Sequence, residues 1–445
     1  LWALLVAGGD VWACVLELNA LRRRRGDLAL VSYQGLCREL AVSGSGTFGE
    51  LDSVGARSVL RRYSDAWFGA ARARRDGETL ARFPRRKHRM MPVRWYAGTF
   101  TLTGRRLRLP VTKGAPTLWV RLDREPPYPA EQIRSVTLCV DAGRLVIDVC
   151  AEVPVAAHAA GCGPDPARVA GVDLGIIHPY ALSGPDGAGL VVSGRALRTE
   201  SRLRLADTKA RRRAVAGRAP ARGQRGSRRW RQYRARTRRL EARHRRRLAQ
   251  ARHEAARTVI DWALDHRVGT LVVGDPVGVL DLRSGARRNQ RVRDWRPAQL
   301  TSVLADKAEA VGISVVIVDE RTTSSTCPAC ARRVPKPRGR RFACPYCALF
   351  AHRDLVGATN IAAKHPGGGQ PVSIPETITH RRAGRHLPGA GRSRRDPRRT
   401  RYNTNRTRPE SWPAAARPDH PSGSRSTATT AVEDPSTQTH QHCQR

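Results

Sequence analysis

Two cysteine pairs, Cys327-Pro328-Ala329-Cys330 and Cys344-Pro345-Tyr346-Cys347, have the type and spacing of a metal site. Each pair supplies two thiolates from one tight turn, and the segment between them is short enough to bring both turns to one tetrahedral zinc ion. Four sulfurs close the coordination shell. The expectation is therefore one structural Zn2+ per chain, holding a basic knuckle that contains Arg332, Arg333, Lys336, Arg338, Arg340 and Arg341. A second group able to do chemistry is a set of isolated acids. Asp173 interrupts the apolar run Val169-Ala170-Gly171-Val172-Asp173-Leu174-Gly175-Ile176, where a lone carboxylate is costly unless it is paired or binds a cation. Asp354 opens a helical segment just after the knuckle. Alone it reads as a helix N-cap; together with Asp173 it reads as one half of a metal site.

The elements that must position these groups can be placed from periodicity. Thr270–Asp275 and Gly312–Glu320 are buried strands of parallel type, and a helix over about 297–311 joins them into a βαβ unit. Ahead of them, 169–176, 180–183 and 190–192 read as three antiparallel strands, the last two joined by the turn Gly184-Pro185-Asp186-Gly187. Residues 1–80 read as helices, with Leu60, Tyr63 and Trp67 on one buried stripe. The run Leu1–Ala7 has the apolar character of a signal peptide, but Asp10 breaks it and Arg22–Arg25 follow rather than precede it, so a core helix at a truncated N-terminus is expected. From 99 to 153, short β-rich runs between Gly and Pro turns suggest a small antiparallel barrel.

The expected organisation is thus a helical nucleic-acid-binding lobe over 1–98, a β-barrel-like region over 99–160 and an α/β domain over 161–364. That domain carries an arginine-rich helical insert at 198–266 and a zinc ribbon at 323–350. A basic tail over 365–445, which includes Arg394-Arg395-Asp396-Pro397-Arg398-Arg399, is too poor in apolar residues to fold and is expected to be disordered.

Composition selects the partner. The 445 residues include 81 Lys+Arg against 38 Asp+Glu, a formal net charge of +43, while 40% hydrophobic residues exclude wholesale disorder. Charge of one sign at this density calls for a polyanion, because bound phosphates release condensed counterions. No run of about 18 uninterrupted apolar residues exists, so no membrane partner is expected. Cysteine usage points to a reducing, cytoplasmic compartment. The densest basic segment holds Arg228, Arg229, Arg231, Arg234, Arg236, Arg239 and Arg243, with few acids between them, and these are the expected phosphate contacts.

In their order along the chain, Phe83-Pro84-Arg85-Arg86-Lys87, Gly171 to Ile176, the arginine-rich helices, Val272-Val273-Gly274-Asp275, Thr323 to Cys327, the knuckle and Asp354 to Ile361 resemble TnpB. This is the insertion-sequence protein often described as a transposase and related to type V CRISPR effectors. The resemblance covers about residues 1–365. It implies a mixed α/β multidomain fold: an RNase H-like, RuvC-type nuclease domain with an inserted zinc ribbon, an N-terminal helical lobe and a small β-barrel. It implies an RNA-guided DNA endonuclease whose partners are guide RNA and target DNA, using two Mg2+ ions to hydrolyse phosphodiesters. Asp173 is then the first catalytic carboxylate and Asp354 the last. The family's second catalytic carboxylate, a Glu, falls where this chain has Gly274. Glu320, which ends the neighbouring strand, is the expected replacement, with a salt bridge to Arg321 as its competing use. Asp275 is the fallback, since adjacent strand positions face opposite ways and Pro276 holds it extended. The departure at Gly274 opens a second reading, a nuclease-inactive RNA-guided DNA-binding protein, and a third is a transposase that joins DNA ends directly.

Overall fold

The structure is a computed structural model that describes residues 1–387 apart from 44–48, 86–88, 222, 277–284, 336–338 and 369–370. Arg86, Lys87, Lys336, Arg338 and the basic run 394–399 lie outside the described residues. The chain divides into two compact units: Leu1–Val155 with Arg202–Ala249, and Ala156–Ser201 with the residues from Gln250 onward. The division corrects one expectation. Most of the arginine-rich insert groups with the N-terminal half rather than with the α/β domain that precedes and follows it in sequence.

The first unit opens with helices α1 (Trp2–Arg24), α2 (Tyr33–Ser43) and α3 (Ser53–Arg75). The α1 helix is long and apolar enough to cross a membrane, yet Leu4, Leu5, Val11, Trp12 and Val15 are buried in a core with Val59, Leu60 and Tyr63 of α3. Trp67, expected on the same stripe, is only partly buried. Asp52 caps α3 by accepting from Val54 N and Gly55 N, both at 3.1 Å, and the same carboxylate accepts from Trp95 Nε1 at 2.9 Å. Helix start and sheet are thereby tied at one buried point. Strands β1 (Val93–Tyr96), β2 (Thr101–Thr103), β3 (Arg106–Leu109), β4 (Leu118–Arg121), β5 (Ile133–Asp141) and β6 (Arg144–Ala151) follow. They pair as two three-stranded antiparallel sheets, β1-β5-β6 and β2-β3-β4, where one closed barrel was expected. Two of these strands, 93–96 and 106–109, were not anticipated. The second, Arg-Leu-Arg-Leu, carries its strand signal in alternation alone, with Leu107 and Leu109 buried and both arginines exposed.

The second unit is built on a six-stranded sheet, formed by β7 (Asp165–Asp173), β8 (Tyr180–Ser183), β9 (Ala188–Ser193), β10 (Val268–Asp275), β11 (Ser314–Asp319) and a last strand, Thr377–Arg382. Its order is β11-β10-β7-β8-β9 followed by that last strand. β7, β8 and β9 form antiparallel pairs, while β10 runs parallel to both β7 and β11. Helices α4 (Arg195–Val215) and α5 (Arg228–Asp265) lie between β9 and β10 in sequence, and α6 (Ala286–Trp295) and α7 (Pro297–Glu309) connect β10 to β11. Apolar residues of α5 and α7, among them Val259, Trp262, Leu300 and Leu304, bury one face of the sheet in the main core. The other face receives helix α8 (Arg353–Ala362), which follows the hairpin of β12 (Arg341–Ala343) and β13 (Phe350–His352).

The last strand, β14, corrects the expectation that everything after 365 is an unfolded tail. It pairs in parallel with β9 over six positions, from Thr377↔Ala188 to Arg382↔Ser193. Its side chains are mostly exposed, so no hydrophobic pattern announces it. Backbone hydrogen bonds to an open sheet edge hold it, and the chain is then fastened by Ala383 and Leu387, which are 4% and 3% exposed. Leu387→Ala is expected to cost about 2–5 kcal/mol in chemical denaturation of the full chain, as for other buried leucines, whereas Ile378→Ala, 36% exposed on the strand itself, should cost under about 1 kcal/mol. Equal effects would show that the segment after 376 is not docked through Leu387.

Candidate metal centre

Asp173 ends β7. Val172 of β7 pairs in parallel with Val273 of β10, so Gly274 stands beside Asp173 on the neighbouring strand. Both strand ends lie beneath α8. The approach is close: a Cβ on Gly171 would stand 1.9 Å from the Ala358 carbonyl oxygen, so any side chain there would push the helix off the sheet. Further along the same helix, a Cβ on Gly357 would be 3.4 Å from Asp173 Oδ2, and Ile361 Cδ1 lies 2.7 Å from where a Gly274 side chain would begin. Asp354, Gly357 and Ile361 recur at helical spacing, so the face that covers Asp173 and Gly274 also presents Asp354.

Glu320 completes the group. It follows β11, whose Val318 pairs with Gly274 and whose Asp319 pairs with Asp275. A Cβ on Gly274 would be 3.0 Å from Glu320 Cβ and 3.2 Å from Glu320 Oε2, so the glutamate side chain folds back over the glycine. Its Oε2 is buried without a hydrogen-bond partner among the described residues, and the alternative salt bridge to Arg321 does not form there. Arg321 instead donates its backbone N–H to Asp319 Oδ1 at 2.9 Å.

The electrostatics follow from this crowding. Burial, then Asp354, then Glu320 push the Asp173 carboxyl well above the usual carboxylate range. Burial, with Asp275 and Asp319 behind it, raises Glu320 to about 7. Arg353 and Arg340 act on Asp173 in the opposite direction without outweighing burial and the two acids, whereas Asp275 acts on Glu320 from the adjoining strand end. Asp354, 7% exposed, is the exception. Burial raises its pKa, but a hydrogen bond from His178, then Arg340 and His352, outweigh burial and hold it below the ordinary value.

Those three partners are functional neighbours that the sequence alone did not assign to the site. His178 Nδ1 lies 2.8 Å from Asp354 Oδ2, on a loop closed by a hydrogen bond from Gly175 N to the His178 carbonyl at 2.9 Å. Arg340 forms an ion pair with the same carboxylate oxygen. His352 is the N-cap of α8, its ring accepting from Asp354 N at 3.3 Å. Donor atoms of His178, His352 and Asp354 all lie within 4.8 Å of one another. The only sequence signal was position, since His178 follows the Asp173 strand by a few residues and His352 precedes Asp354 by two.

The cysteines meet as their spacing required. All four sulfurs lie within 4.8 Å of one another, with Cys327–Cys347 at 3.5 Å and Cys330–Cys344 at 3.6 Å. Thiolates bound tetrahedrally to zinc at about 2.3 Å stand roughly 3.8 Å apart, so this donor set fits the ion. Ala331 and Ala348, each just after a pair, have φ of 57°, which turns the chain back in the same way on both sides of the site. Val334, Phe342 and Val356 bury its base and connect it to α8.

The seven expected phosphate-binding arginines all lie on the first part of α5 and are exposed. The helix has 38 residues, about 57 Å. Its first buried residue is Ala242, and in the half that carries these arginines Trp230, Tyr233, Thr237 and Leu240 form only a half-buried stripe at helical spacing. Arg245 and Arg246 converge on Asp141, but no ion pair is formed by Arg228, Arg229, Arg231, Arg234, Arg236, Arg239 or Arg243 among the described residues. Arginines crowded on the exposed face of such a helix repel one another until a counter-charge covers them.

Parts of the chain are similar to known proteins. Residues 152–280 match a family model described as "Probable transposase", and residues 298–361 match one described as "Cas12f1-like, TNB domain". Over 109 residues the chain is 30% identical to the CRISPR-associated endodeoxyribonuclease Cas12f1 of Sulfoacidibacillus thermotolerans. That alignment spans 24% of this chain and only 25% of the relative's length. The fold is similar to that in a solved Cas12f1–sgRNA–target DNA complex, with a TM-score of 0.54, 14% identity and 82% of each chain covered. With these two partial family matches, a mixed α/β fold similar to that of a Cas12f effector and a four-cysteine cluster able to bind zinc, the chain is similar to TnpB-like proteins.

Proposed function

We propose that the chain is an RNA-guided DNA endonuclease of an insertion sequence, with Asp173, Glu320 and Asp354 as the metal-binding carboxylates of an RNase H-like nuclease domain. The observation that carries this reading is the glutamate over Gly274. Its unpartnered buried oxygen lies where the family's second carboxylate would stand, and it reaches there from the strand next door. A sheet in which β10 lies between β7 and β11, parallel to both, supports the RNase H-like assignment.

Burial, with Asp354 and Glu320 beside it, raises the Asp173 pKa, and burial, with Asp275 and Asp319 beside it, raises that of Glu320, so each acid is costly to ionise where it stands. A divalent cation removes that cost, so the donor set fits two Mg2+ ions; these, when bound, supply charge stabilisation to the attacking and leaving oxygens of a phosphodiester. The chain's own contribution is placement. Asp173 is fixed by the strand, Asp354 by α8, and Glu320 by the turn after β11. His178 and Arg340 hold Asp354 Oδ2 in one orientation. The zinc ribbon, tied to α8 through Val356, delivers Arg340 to that position. The arginines of α5 hold guide RNA, and base pairing between guide and target DNA supplies sequence choice. Such a protein works in the cytoplasm, where DNA is accessible and the four thiols stay reduced.

Three tests follow from this reading. Asp173→Asn, Asp354→Asn and Glu320→Gln are each expected to lower Mg2+-dependent cleavage of guide-matched DNA by on the order of 10² or more while RNA binding persists. Glu320→Gln should also lower it far more than Asp275→Asn. The reverse order would return the second carboxylate to Asp275; an inactive parent that binds RNA and matching DNA would favour the nuclease-inactive reading, and joining of DNA ends without RNA would favour a transposase.

For the zinc ribbon, elemental analysis should find one zinc per purified chain, lost together with thermal stability in Cys330→Ser. Full zinc content in that variant would remove Cys330 from the ligand set.

Replacing Arg236, Arg239 and Arg243 with Gln should flatten the dependence of log K on log salt for RNA by about 2, roughly 0.7 for each phosphate no longer neutralised. An unchanged slope would mean that this stretch of α5 does not face nucleic acid.

A further inference from the structure

Three side chains converge at the start of α8, and two of them are imidazoles. His178 comes from the loop after β7, while His352 and Asp354 stand on either side of Arg353, the first residue of the helix. His178 and Asp354 are 176 positions apart in sequence, so the fold and no local turn brings them together. One donor atom from each of the three lies within 4.8 Å of the other two, and the two rings stand 5.4 Å apart at their centroids. The side chains of His178 and Asp354 are only 14% and 9% exposed, so water competes weakly for their donors.

Arg340 shows what this group attracts. Its Nη1 forms an ion pair with Asp354 Oδ2 and lies 3.3 Å from His178 Nδ1, so one positive nitrogen meets a carboxylate oxygen and an imidazole nitrogen together. In the tautomer that accepts from Arg340, His178 Nδ1 presents the lone pair that a metal ion takes; in the other it donates to Asp354 Oδ2. Arg340, with a side chain 35% exposed, has solvent to move into. Orienting Asp354 requires only one such partner, and Arg340 already supplies it. Ligand type then selects the ion. Imidazole nitrogen suits late first-row ions such as Co2+ and Zn2+, whereas Mg2+ takes carboxylate and water oxygens. Two imidazoles with one carboxylate make a donor set that leaves further positions open to water, distinct from the all-oxygen set of Asp173, Glu320 and Asp354.

We propose that His178, His352 and Asp354 bind one late first-row divalent ion, of the Co2+ or Zn2+ class, and that the Arg340 guanidinium stands in for it in the metal-free protein. The site shares Asp354 with the carboxylate set proposed above, but it requires neither guide RNA nor cleavage and holds equally for a nuclease-inactive chain. It is also separate from the four cysteines, which offer sulfur alone.

The test uses the full chain, dialysed against a weak chelator so that only thiolate-bound zinc remains, with Co2+ as the probe. In an excess of about 100-fold Mg2+, which competes for sites made of oxygen alone, equilibrium dialysis should find one Co2+ retained per chain. X-ray absorption at the cobalt edge should show imidazole ligands and no sulfur, and the near-ultraviolet should lack the thiolate-to-cobalt absorption that entry into the ribbon would produce. His178→Ala and His352→Ala should each weaken Co2+ binding by about 100-fold, since losing a ligand costs at least as much as losing a residue that supports one. His253→Ala, a histidine of α5 outside the group, should leave it unchanged. Arg340→Gln should tighten binding severalfold, because the ion no longer has an ion pair to break. That variant and the cobalt-edge spectrum of the unaltered chain keep all three ligands, so neither depends on whether the histidine variants fold. Cobalt held by oxygen alone or by sulfur, its displacement by Mg2+, or equal retention in His178→Ala and His352→Ala would overturn the site. Unchanged or weaker binding in Arg340→Gln would overturn the role given to Arg340. A chain that retains Co2+ in this way yet never cuts guided DNA would leave the site standing and sink only the nuclease reading.

Discussion

Everything about the site depends on how closely α8 can lie on the sheet. The backbone of Ala358 stands where a side chain on Gly171 would be, and Ile361 stands where one on Gly274 would be. Only hydrogen-sized side chains at those strand positions let the helix settle, and with it Asp354 comes down over Asp173. Had the helix been held away by one methyl group on Gly171, Asp354 would have been moved off its partners and the acids would form no common site. The same contact explains how Gly274 is compatible with a carboxylate cluster. The space above it is shared between Ile361 from the helix and Glu320 from the adjoining strand, so the charge that strand position lacks is returned by a neighbour.

Packing acids this tightly creates an electrostatic problem that the surroundings solve unevenly. A hydrogen bond with His178 and the ion pair with Arg340 keep Asp354 ionised and fix its orientation. Asp173 and Glu320 have no comparable partner among the described residues, and burial with the neighbouring acids raises their pKa. One pre-oriented anion beside two that resist ionisation is an arrangement poised for a divalent cation, since added positive charge is favoured most where fixed negative charge is least satisfied. The ribbon enters the same balance. Its four cysteines sit at one end of a short hairpin whose other end carries Arg340, so a site with no room for catalysis sets the position of a residue that touches a catalytic candidate.

Basic charge is distributed according to a similar logic. Where arginines lie near carboxylates, as Arg245 and Arg246 lie near Asp141, the structure pairs them. On the first half of α5 and on the exposed face of β2-β3-β4 it does not. The second of these places also leaves Trp119, 53% exposed, uncovered. Excess charge left unpaired on ordered elements would be stabilised by phosphates, so a net charge of +43 suits the proposed nucleic-acid partner without requiring that the core be unusual.

Much of this was legible in the residues alone, because it depends on local spacing. Paired thiolates two residues apart, a lone acid in an apolar run, arginines without acids and the alternation or 3.6-residue period of the apolar positions report chemistry that neighbours in sequence suffice to define. The meeting of the four cysteines, the lone acids Asp173 and Asp354 at the ends of their elements, the exposed arginines of α5 and most strands of the central sheet belong to this class. Contacts between distant segments were not legible. That His178 and Arg340 converge on Asp354, that residues 202–249 join the N-terminal unit and that 377–382 adds a sixth strand all depend on which elements lie next to one another. Sequence determined which groups could ionise, ligate or repel. Tertiary structure alone decided which of them meet, because side-chain contact depends on helix and strand approaches set to within a methyl group, and no local pattern encodes that distance.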